Sequence, residues 1–175
     1  MVLTLDGFPR NKERFDRLLV FLGEILEVCI GLGVEPIVDG SLAVFAYTHN
    51  PELNVNDIDL GCPEAAFPRI GAALDAKGTK HRLREWHVLQ ILRDDLRVEL
   101  GSIEYWYRDL PIECETLRIG GRLVKLLGLG SLKALYKRGL DNTAGNLDEG
   151  NNRFKHESYR VKYDALNAIY PDNLV

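Results

Sequence analysis

Residues 54–60 alternate between polar and apolar side chains except at Asn56-Asp57, so that Val55 cannot share a face with Ile58 and Leu60, and this alternation restricts the fold more than any other feature of the sequence. A period of two is that of a β-strand, whose successive side chains point to opposite faces. Ile58 and Leu60 can therefore share a buried face. Asp57 and Asp59 project together from the face opposite Ile58, about 6.6 Å apart along the chain. The segment predicts a strand that is apolar on one side and carries two carboxylates on the other.

A strand, a tight turn and a helix are predicted immediately upstream. Residues 36–38 are apolar and β-prone, and residues 42–47 form an apolar segment long enough for two helical turns. Gly40 and Ser41 lie between them. Glycine permits close approach of the backbone, and the N–H groups at a helix N-terminus can receive a phosphate. A turn glycine beside an N-capping serine would explain the same pair without a ligand.

The other periodic segments predict a mixed α/β fold. An apolar stripe that begins at Phe15 predicts a first helix, which Gly31 and Gly33 stop. Further helices are predicted at 65–77, 129–138 and 154–168, strands at 86–92, 96–103, 115–119 and 122–126, and a mobile loop at 139–152. The sequence contains no internal repeat, so we expect a single domain over residues 1–175, with a core at about 10–127 and a helical tail at about 128–175.

Composition excludes several classes of protein. With 175 residues, of which 46% are hydrophobic, the chain can bury its own core. Its net charge of −4 gives no global attraction to nucleic acid or to an anionic membrane. The longest stretch without Asp, Glu, Lys or Arg is residues 40–51, whereas a membrane-spanning helix needs about 20 apolar residues. Since no basic leader precedes an apolar run at the start, we expect a cytoplasmic protein without a membrane segment.

Cysteines and histidines form no recognisable metal or disulfide pattern. Cys29, Cys62 and Cys114 are odd in number and far apart, which favours reduced, buried thiols. The four histidines contain no His-x-x-x-His pair, so we expect no structural zinc site. The sequence also contains no phosphate-binding loop with a Gly-Lys end, no dinucleotide-binding glycine pattern and no nucleophile elbow.

A third acidic residue, Glu99, lies on a later predicted strand whose apolar neighbours point to the other face. Two carboxylates such as Asp57 and Asp59 repel each other, unless a divalent cation sits between them. Mg²⁺ prefers a few carboxylates together with phosphate oxygens, and a third acid is what a general base or a second-metal ligand requires. The other explanation for these acids is a solvated, polar strand edge.

The pattern resembles the nucleotidyltransferase superfamily, which shares its core with DNA polymerase β. That family has an apolar strand, Gly-Ser, a helix, Asp-x-Asp on the next strand and a third acid on a later one. Residues 37–41, 57–60 and 97–100 carry this pattern here, and the resemblance covers residues 34–103. The helical end that begins at Leu129 is also similar to the tail of small prokaryotic members, which include the minimal nucleotidyltransferases of toxin and antitoxin modules.

The resemblance implies an α/β fold with a mixed sheet, a helical appendage and a specific chemistry. Asp57, Asp59 and Glu99 would hold Mg²⁺, with two ions expected and Mn²⁺ as a substitute. Ser41 and the backbone of Gly40 would cradle the phosphates of an NTP. Glu99, where the family more often has Asp, would also help to deprotonate the acceptor. The reaction would move a nucleoside monophosphate from the NTP to a hydroxyl of a small molecule, a protein or an RNA.

The superfamily also contains members that bind nucleotides or partners without catalysis. The alternative function is therefore a catalytically silent binding or regulatory module, for example an antitoxin-like partner, and a homo-oligomer or a toxin/antitoxin-type complex stays open. Two lysines on one helix, Lys133 and Lys137, are spaced i, i+4 and would face the triphosphate if this helix closes over the cleft.

A basic stretch with one aromatic residue follows the third predicted helix. Two readings stay open: a surface that contacts a polynucleotide backbone and stacks a base, or a solvated loop. The stretch consists of Lys77, Lys80, His81, Arg82, Arg84 and Trp86.

Overall fold

A computed structural model describes residues 1–172 of the chain. The strands are β1 (Val2–Thr4), β2 (Ile37–Asp39), β3 (Ile58–Cys62), β4 (Lys80–Arg84), β5 (Val88–Arg93), β6 (Leu96–Ser102), β7 (Cys114–Ile119) and β8 (Arg122–Leu127). The helices are α1 (Lys12–Gly31), α2 (Gly40–Thr48), α3 (Phe67–Ala76), α4 (Ile103–Trp106), α5 (Leu129–Ala144) and α6 (Asn152–Ile169), and a short 3₁₀ turn covers Glu64–Ala66.

All eight strands form one mixed sheet in the order β1-β7-β8-β2-β3-β6-β5-β4. The pairs β1–β7, β2–β8 and β3–β6 are parallel. The pairs β2–β3, β4–β5, β5–β6 and β7–β8 are antiparallel. The predicted mixed α/β fold with helices after the sheet is therefore confirmed. Within the described part of the chain, no helix combines the length and apolar character needed to cross a bilayer.

One face of the central strands is apolar and is covered by α1 and α3. Ile58, Leu60, Val98 and Leu100 are at most 1% exposed on this face, which we call the apolar face. Strand β5 is tied to α1 at its end, where Arg93 pairs with Glu24 and its guanidinium lies 4.5 Å from the centre of the Phe21 ring. Such dense burial of aliphatic side chains is the main stabilising term of the fold.

The helical tail packs on α2 rather than on the apolar face. Helix α2 is buried along most of its length, with α1 on one side, where the rings of Phe15 and Phe45 lie 5.5 Å apart, and with α5 and α6 on another. Close approach of α5 and α6 depends on Gly139, since a Cβ there would lie 2.8 Å from Cδ2 of Tyr159. Leu166 of α6 is fully buried.

The structure corrects several predicted boundaries. Strand β3 begins at Ile58 rather than at residue 54, and the loop predicted at 139–152 is shorter because α5 continues to Ala144. The sequence predicts Trp86 at the start of a strand. In the structure, Trp86 lies in the turn between β4 and β5, and its backbone φ is 65°. Strand β1 was not predicted, because three residues are too few to show a period.

The basic stretch is also organised differently from a solvated loop. Residues 80–84 form the edge strand β4, which pairs with β5 along its whole length. The sequence does not indicate this strand, because residues 80–84 include almost no apolar side chains. Leu83 is 69% exposed, so the face that usually reveals a strand by its hydrophobicity is nearly missing.

Candidate active site

One polar residue from each of five adjacent strands lies in a single row across the sheet. The register places Asp39 opposite Asp59, Asp59 beside Glu99, Glu99 opposite Gln90, and Gln90 opposite Arg82. Directly paired residues project from the same face, so these five side chains share the face opposite to the apolar one. We call this set the polar row and its side of the sheet the polar face.

Hydrogen bonds run along one half of the polar row. Arg82 donates from Nε to Oε1 of Gln90 over 2.7 Å, and Gln90 donates from Nε2 to Oε1 of Glu99 over 2.6 Å. Gln90 is buried, so its amide has few alternative partners. These contacts fix the orientation of the Glu99 carboxylate.

Asp57 and Arg97 lie side by side, one residue before the paired segments of β3 and β6. Arg97 donates from Nη2 to the Asp57 carboxylate, and its Nε lies 3.4 Å from Oε1 of Glu99. Burial opposes the charge of Arg97, but the hydrogen bond to Asp57 and the attraction of the nearby acids raise its pKa above the ordinary value. The guanidinium therefore bridges two of the three predicted acids.

Asp59 has the most perturbed carboxyl group of the cluster. Burial raises its pKa well above the ordinary value, and the charges of Asp57, Asp39 and Glu99 raise it further. Lys162 of α6 acts in the opposite direction. Like charges held this close favour any cation that can sit among them.

Asp39 accepts a hydrogen bond from the hydroxyl of Tyr107, which follows α4. Burial raises the pKa of Asp39 to about 6, against the effects of this hydrogen bond and of Lys162. The Tyr107 ring reaches Asp39 across Gly61, where a Cβ would lie 2.5 Å from the phenol oxygen. Next to Gly61 in the register is Gly101, where a Cβ would lie 3.0 Å from Cδ1 of Trp106.

Gly40 starts α2 directly beside the acids. Its φ of 62° lies in the left-handed region, and a Cβ there would overlap the Asp59 carboxylate. Ser41 follows in the first turn of the helix and is buried. The first N–H groups of α2, which have no partner within the helix, therefore begin next to the carboxylate cluster.

A cleft of about 460 Å³ opens between the sheet and the tail helix. Ser41, Asp57 and Arg97 line it on the sheet side, together with the segment that precedes β3. On the opposite side, five residues of α6 with helical spacing border the cleft: Phe154, Glu157, Ser158, Val161 and Lys162. Phe154 is 79% exposed and Val161 is 49% exposed. This stripe was not predicted, because its i, i+3, i+4, i+7 positions mix apolar, polar and charged residues.

Of the predicted residues, Ser41 and Asp57 line this cleft, Gly40 and Asp59 lie next to each other behind it, and Glu99 is paired with Asp59 in the register, whereas the two predicted lysines do not line it. The ammonium of Lys133 is buried and donates to Oδ1 of Asn167 over 2.9 Å and to the carbonyl of Tyr170 over 2.5 Å. Lys137 is exposed, 3.5 Å from Asp141. A contact of Lys133 or Lys137 with phosphates stays a prediction, while Lys162 is the tail lysine at the cleft.

The side chains suit a hard divalent cation by their chemistry, because carboxylate oxygens are the ligands that Mg²⁺ prefers. Among residues 1–172, no three His, Cys, Asp or Glu side chains converge in a metal-binding arrangement. Asp57 is instead turned towards Arg97. The guanidinium of Arg97 thus lies between two of the acids, where their mutual repulsion favours a positive charge.

Solved structures of similar fold are nucleotidyltransferases. The antibiotic-resistance factor ANT(2'')-Ia is 16% identical, with a TM-score of 0.59 over 89% of this chain and 91% of that one. A nucleotidyltransferase-like protein from Paracoccidioides brasiliensis is 14% identical, with a TM-score of 0.59 over 92% and 78%. The lincosamide antibiotic adenylyltransferase LnuA is 12% identical, with a TM-score of 0.50 over 82% and 95%. No protein-family model and no curated protein sequence matches the chain.

Proposed function

Because the chain has the nucleotidyltransferase-superfamily fold, we propose that it transfers a nucleoside monophosphate from an NTP to a hydroxyl acceptor, with Mg²⁺ as cofactor. The observation that carries this proposal is that Asp57 immediately precedes β3, Asp59 on β3 is paired with Glu99 on the next strand, and Asp59 lies against Gly40 at the start of α2. A helix N-terminus receives phosphates, and clustered carboxylates hold the cation that accompanies them.

Asp57, Asp59 and Glu99 would hold the metal, for which Mn²⁺ is an alternative. When bound, Mg²⁺ neutralises charge on the α-phosphate and lowers the pKa of the acceptor hydroxyl. To ligate it, Asp57 must exchange its hydrogen bond with Arg97 for the metal. Arg97 would then be free to pair with Glu99 or with a phosphate oxygen.

The protein itself binds and orients the NTP. Ser41 and the N–H groups that follow Gly40 would hold phosphate oxygens, since they belong to the first turn of α2 and Ser41 lines the cleft. Lys162 lies at the cleft and would offset the charge of the triphosphate. Lys133 would have to leave Asn167 and Asp172 to make a similar contact.

The transfer is a single displacement at phosphorus. The acceptor oxygen forms a bond with the α-phosphorus, the bond between this phosphorus and the bridging oxygen to the β-phosphate breaks, and pyrophosphate leaves. The acceptor proton passes to the carboxylate of Glu99, which Gln90 holds in place, and then to water. Two of the structural relatives have antibiotic ligands, adenylyl-2''-tobramycin and lincomycin, so a small-molecule acceptor is one option for this chain.

One observation favours a second function, that of a catalytically silent binding or regulatory module. The guanidinium of Arg97 already bridges Asp57 and Glu99, so the acids are paired without a metal. A chain that keeps this pairing would bind a nucleotide or a partner protein, such as the toxin of a toxin/antitoxin pair, without turnover.

The test is a titration of the protein with Mg²⁺ and each of the four NTPs, by melting shift and calorimetry. We expect saturable stabilisation that requires Mg²⁺, because a ligand at about 100 times its Kd stabilises the folded state by about 2.7 kcal/mol. The double variant Asp57→Asn/Asp59→Asn should lose it. Glu52→Gln is the matched control, since Glu52 lines the same cleft outside the polar row and should leave it unchanged.

Pyrophosphate release separates the two functions. Release upon addition of a hydroxyl acceptor supports the enzyme, whereas Mg²⁺-dependent NTP binding without release from any acceptor class supports the silent module. A wild-type protein that ignores both NTP and Mg²⁺ contradicts the enzyme and the nucleotide-binding module, and only the fold assignment and the binding of a partner protein then stand.

A further inference from the structure

The edge strand β4 presents three cations on the polar face. Lys80, Arg82 and Arg84 alternate along the strand, and the register aligns Arg82 with the polar row. All three are exposed, and none takes part in an ion pair within residues 1–172. Most other Lys and Arg side chains of this acidic protein have a carboxylate partner. These three therefore remain available for an external anion, Arg82 through the part of its guanidinium that does not bond Gln90.

The position of these cations relative to the acids is fixed by the sheet. Arg82 lies two strands from Glu99, which corresponds to about 10 Å at the usual spacing between strands. Cations at every second residue repeat at about 6.6 Å along the strand, similar to the spacing of phosphates in an extended polynucleotide. An oligonucleotide bound along β4 would therefore need roughly two further nucleotides to bring its end to the acids.

An aromatic surface continues from the end of β4 onto the polar face. Trp86, in the turn after β4, is 64% exposed, and its ring lies 6.5 Å from that of Tyr105. Tyr105 stacks on His87 with 4.5 Å between ring centres and contacts Trp106 edge-on at 5.4 Å. Trp106 lies over Gly101, two residues from Glu99. Exposed aromatic rings beside cations are the usual platform for unpaired bases.

We propose that β4 and this aromatic surface bind a single-stranded polynucleotide whose 3′-terminal hydroxyl is the acceptor. The inference rests on the proposed function and specifies its acceptor. Lys80, Arg82 and Arg84 contact phosphates, and Trp86 stacks a base. The same three cations repel a positively charged small molecule, so they distinguish a polynucleotide from a cationic antibiotic as acceptor.

Binding is tested by fluorescence anisotropy with a labelled single-stranded RNA 12-mer, in EDTA so that the metal site is not engaged. The variant Lys80→Glu/Arg84→Glu should bind at least about tenfold more weakly, with a salt dependence reduced by about two charges. Arg82 is left intact because it holds Gln90. The matched control is Arg118→Glu/Lys155→Glu, which makes the same charge change at two exposed residues, one on β7 near the opposite edge of the sheet and one on α6 outside the lining of the cleft. Equal weakening in both variants would overturn the inference.

The aromatic contribution is tested with Trp86→Asn, because asparagine tolerates the left-handed φ of this position. We expect about tenfold weaker RNA binding and no change in the binding of inorganic polyphosphate. Quenching of tryptophan fluorescence by RNA should also decrease, with Trp106 as the remaining fluorophore. If Trp86→Asn has no effect and polyphosphate of equal charge binds as tightly as RNA, the surface is a general anion site and the inference is wrong.

Extension of the 12-mer separates this inference from the proposed function. The wild type with Mg²⁺ and NTP should extend an RNA with a free 3′ hydroxyl and not one with a 3′-deoxy end, while Lys80→Glu/Arg84→Glu should keep NTP-dependent stabilisation but lose extension. Transfer to another hydroxyl, with no RNA binding, refutes only the polynucleotide acceptor. RNA binding without NTP binding refutes the proposed function, and with it the role of the RNA as acceptor.

Discussion

Leu60 and Asp59 are neighbours on β3 that point to opposite faces of the sheet. Leu60, like Val98 on β6, is almost completely buried under helices. Asp59 stands beside Glu99 with its pKa raised by burial and by the charges around it. The apolar face is therefore packed for stability, whereas the polar face holds groups whose mutual repulsion lowers stability until a cation or a proton joins them. Because successive side chains of a strand point to opposite faces, one strand can contribute residues to the packed apolar face and to the charged polar face.

The largest effect should come from a truncation on the apolar face. Leu60→Ala should lower the free energy of unfolding by about 2–5 kcal/mol, because it opens a cavity in a fully packed region. Asp59→Asn, one residue away, should leave the metal-free protein at least as stable, since it removes a repelling charge. Urea denaturation in EDTA measures both. The contrast between the faces is refuted if the two variants lose similar stability.

Gly40→Ala should have the next largest effect, a loss of about 2–3 kcal/mol. The substitution strains a backbone with positive φ and also drives a methyl group into the Asp59 carboxylate. Gly120→Ala is the matched control, because Gly120 has a φ of 52° but open space around its Cα. Thermal or urea unfolding should show a clearly smaller loss for the control. Equal losses would mean that the contact with Asp59 contributes nothing.

A smaller effect, on the order of 1–2 kcal/mol, should appear in the pH dependence. The pKa of Asp39 rises from 3.8 to about 6 on folding, so the folded state binds its proton more tightly than the unfolded state. The resulting stabilisation is complete below about pH 4 and is lost as pH rises through 6. In EDTA, the stability of the wild type relative to Asp39→Asn should therefore fall between pH 4.5 and 7. A flat difference would contradict the raised pKa.

The fold and the acids could be predicted from the sequence because both depend on a polar and apolar alternation over a few neighbouring residues. Residues 57–60 alternate, and Glu99 lies between two apolar neighbours, so strand and face follow directly. Strand β4 has the same period, but its cations alternate with His81 and the exposed Leu83, and no apolar face marks it as a strand. A one-sided hydrophobic pattern is what the sequence reveals best.

The partners of the acids could not be predicted because they depend on strand order and helix docking. Gln90 meets Glu99 only because β5 pairs with β6, and Tyr107 meets Asp39 only because α4 folds back over Gly61. Lys162 reaches the cleft because α6 turns one side of its surface towards the sheet. No local signal in the sequence records such contacts.

Three glycines around the acids contribute empty space. Gly40 leaves room for the carboxylate of Asp59, Gly61 for the ring of Tyr107, and Gly101 for the indole of Trp106. A complete survey of single substitutions would find these positions as intolerant as the acids themselves, although none of them has a side chain that could take part in a reaction. The positions that tolerate no substitution would thus mark the full volume of the site. They would include these glycines as well as the residues whose side chains carry the acids.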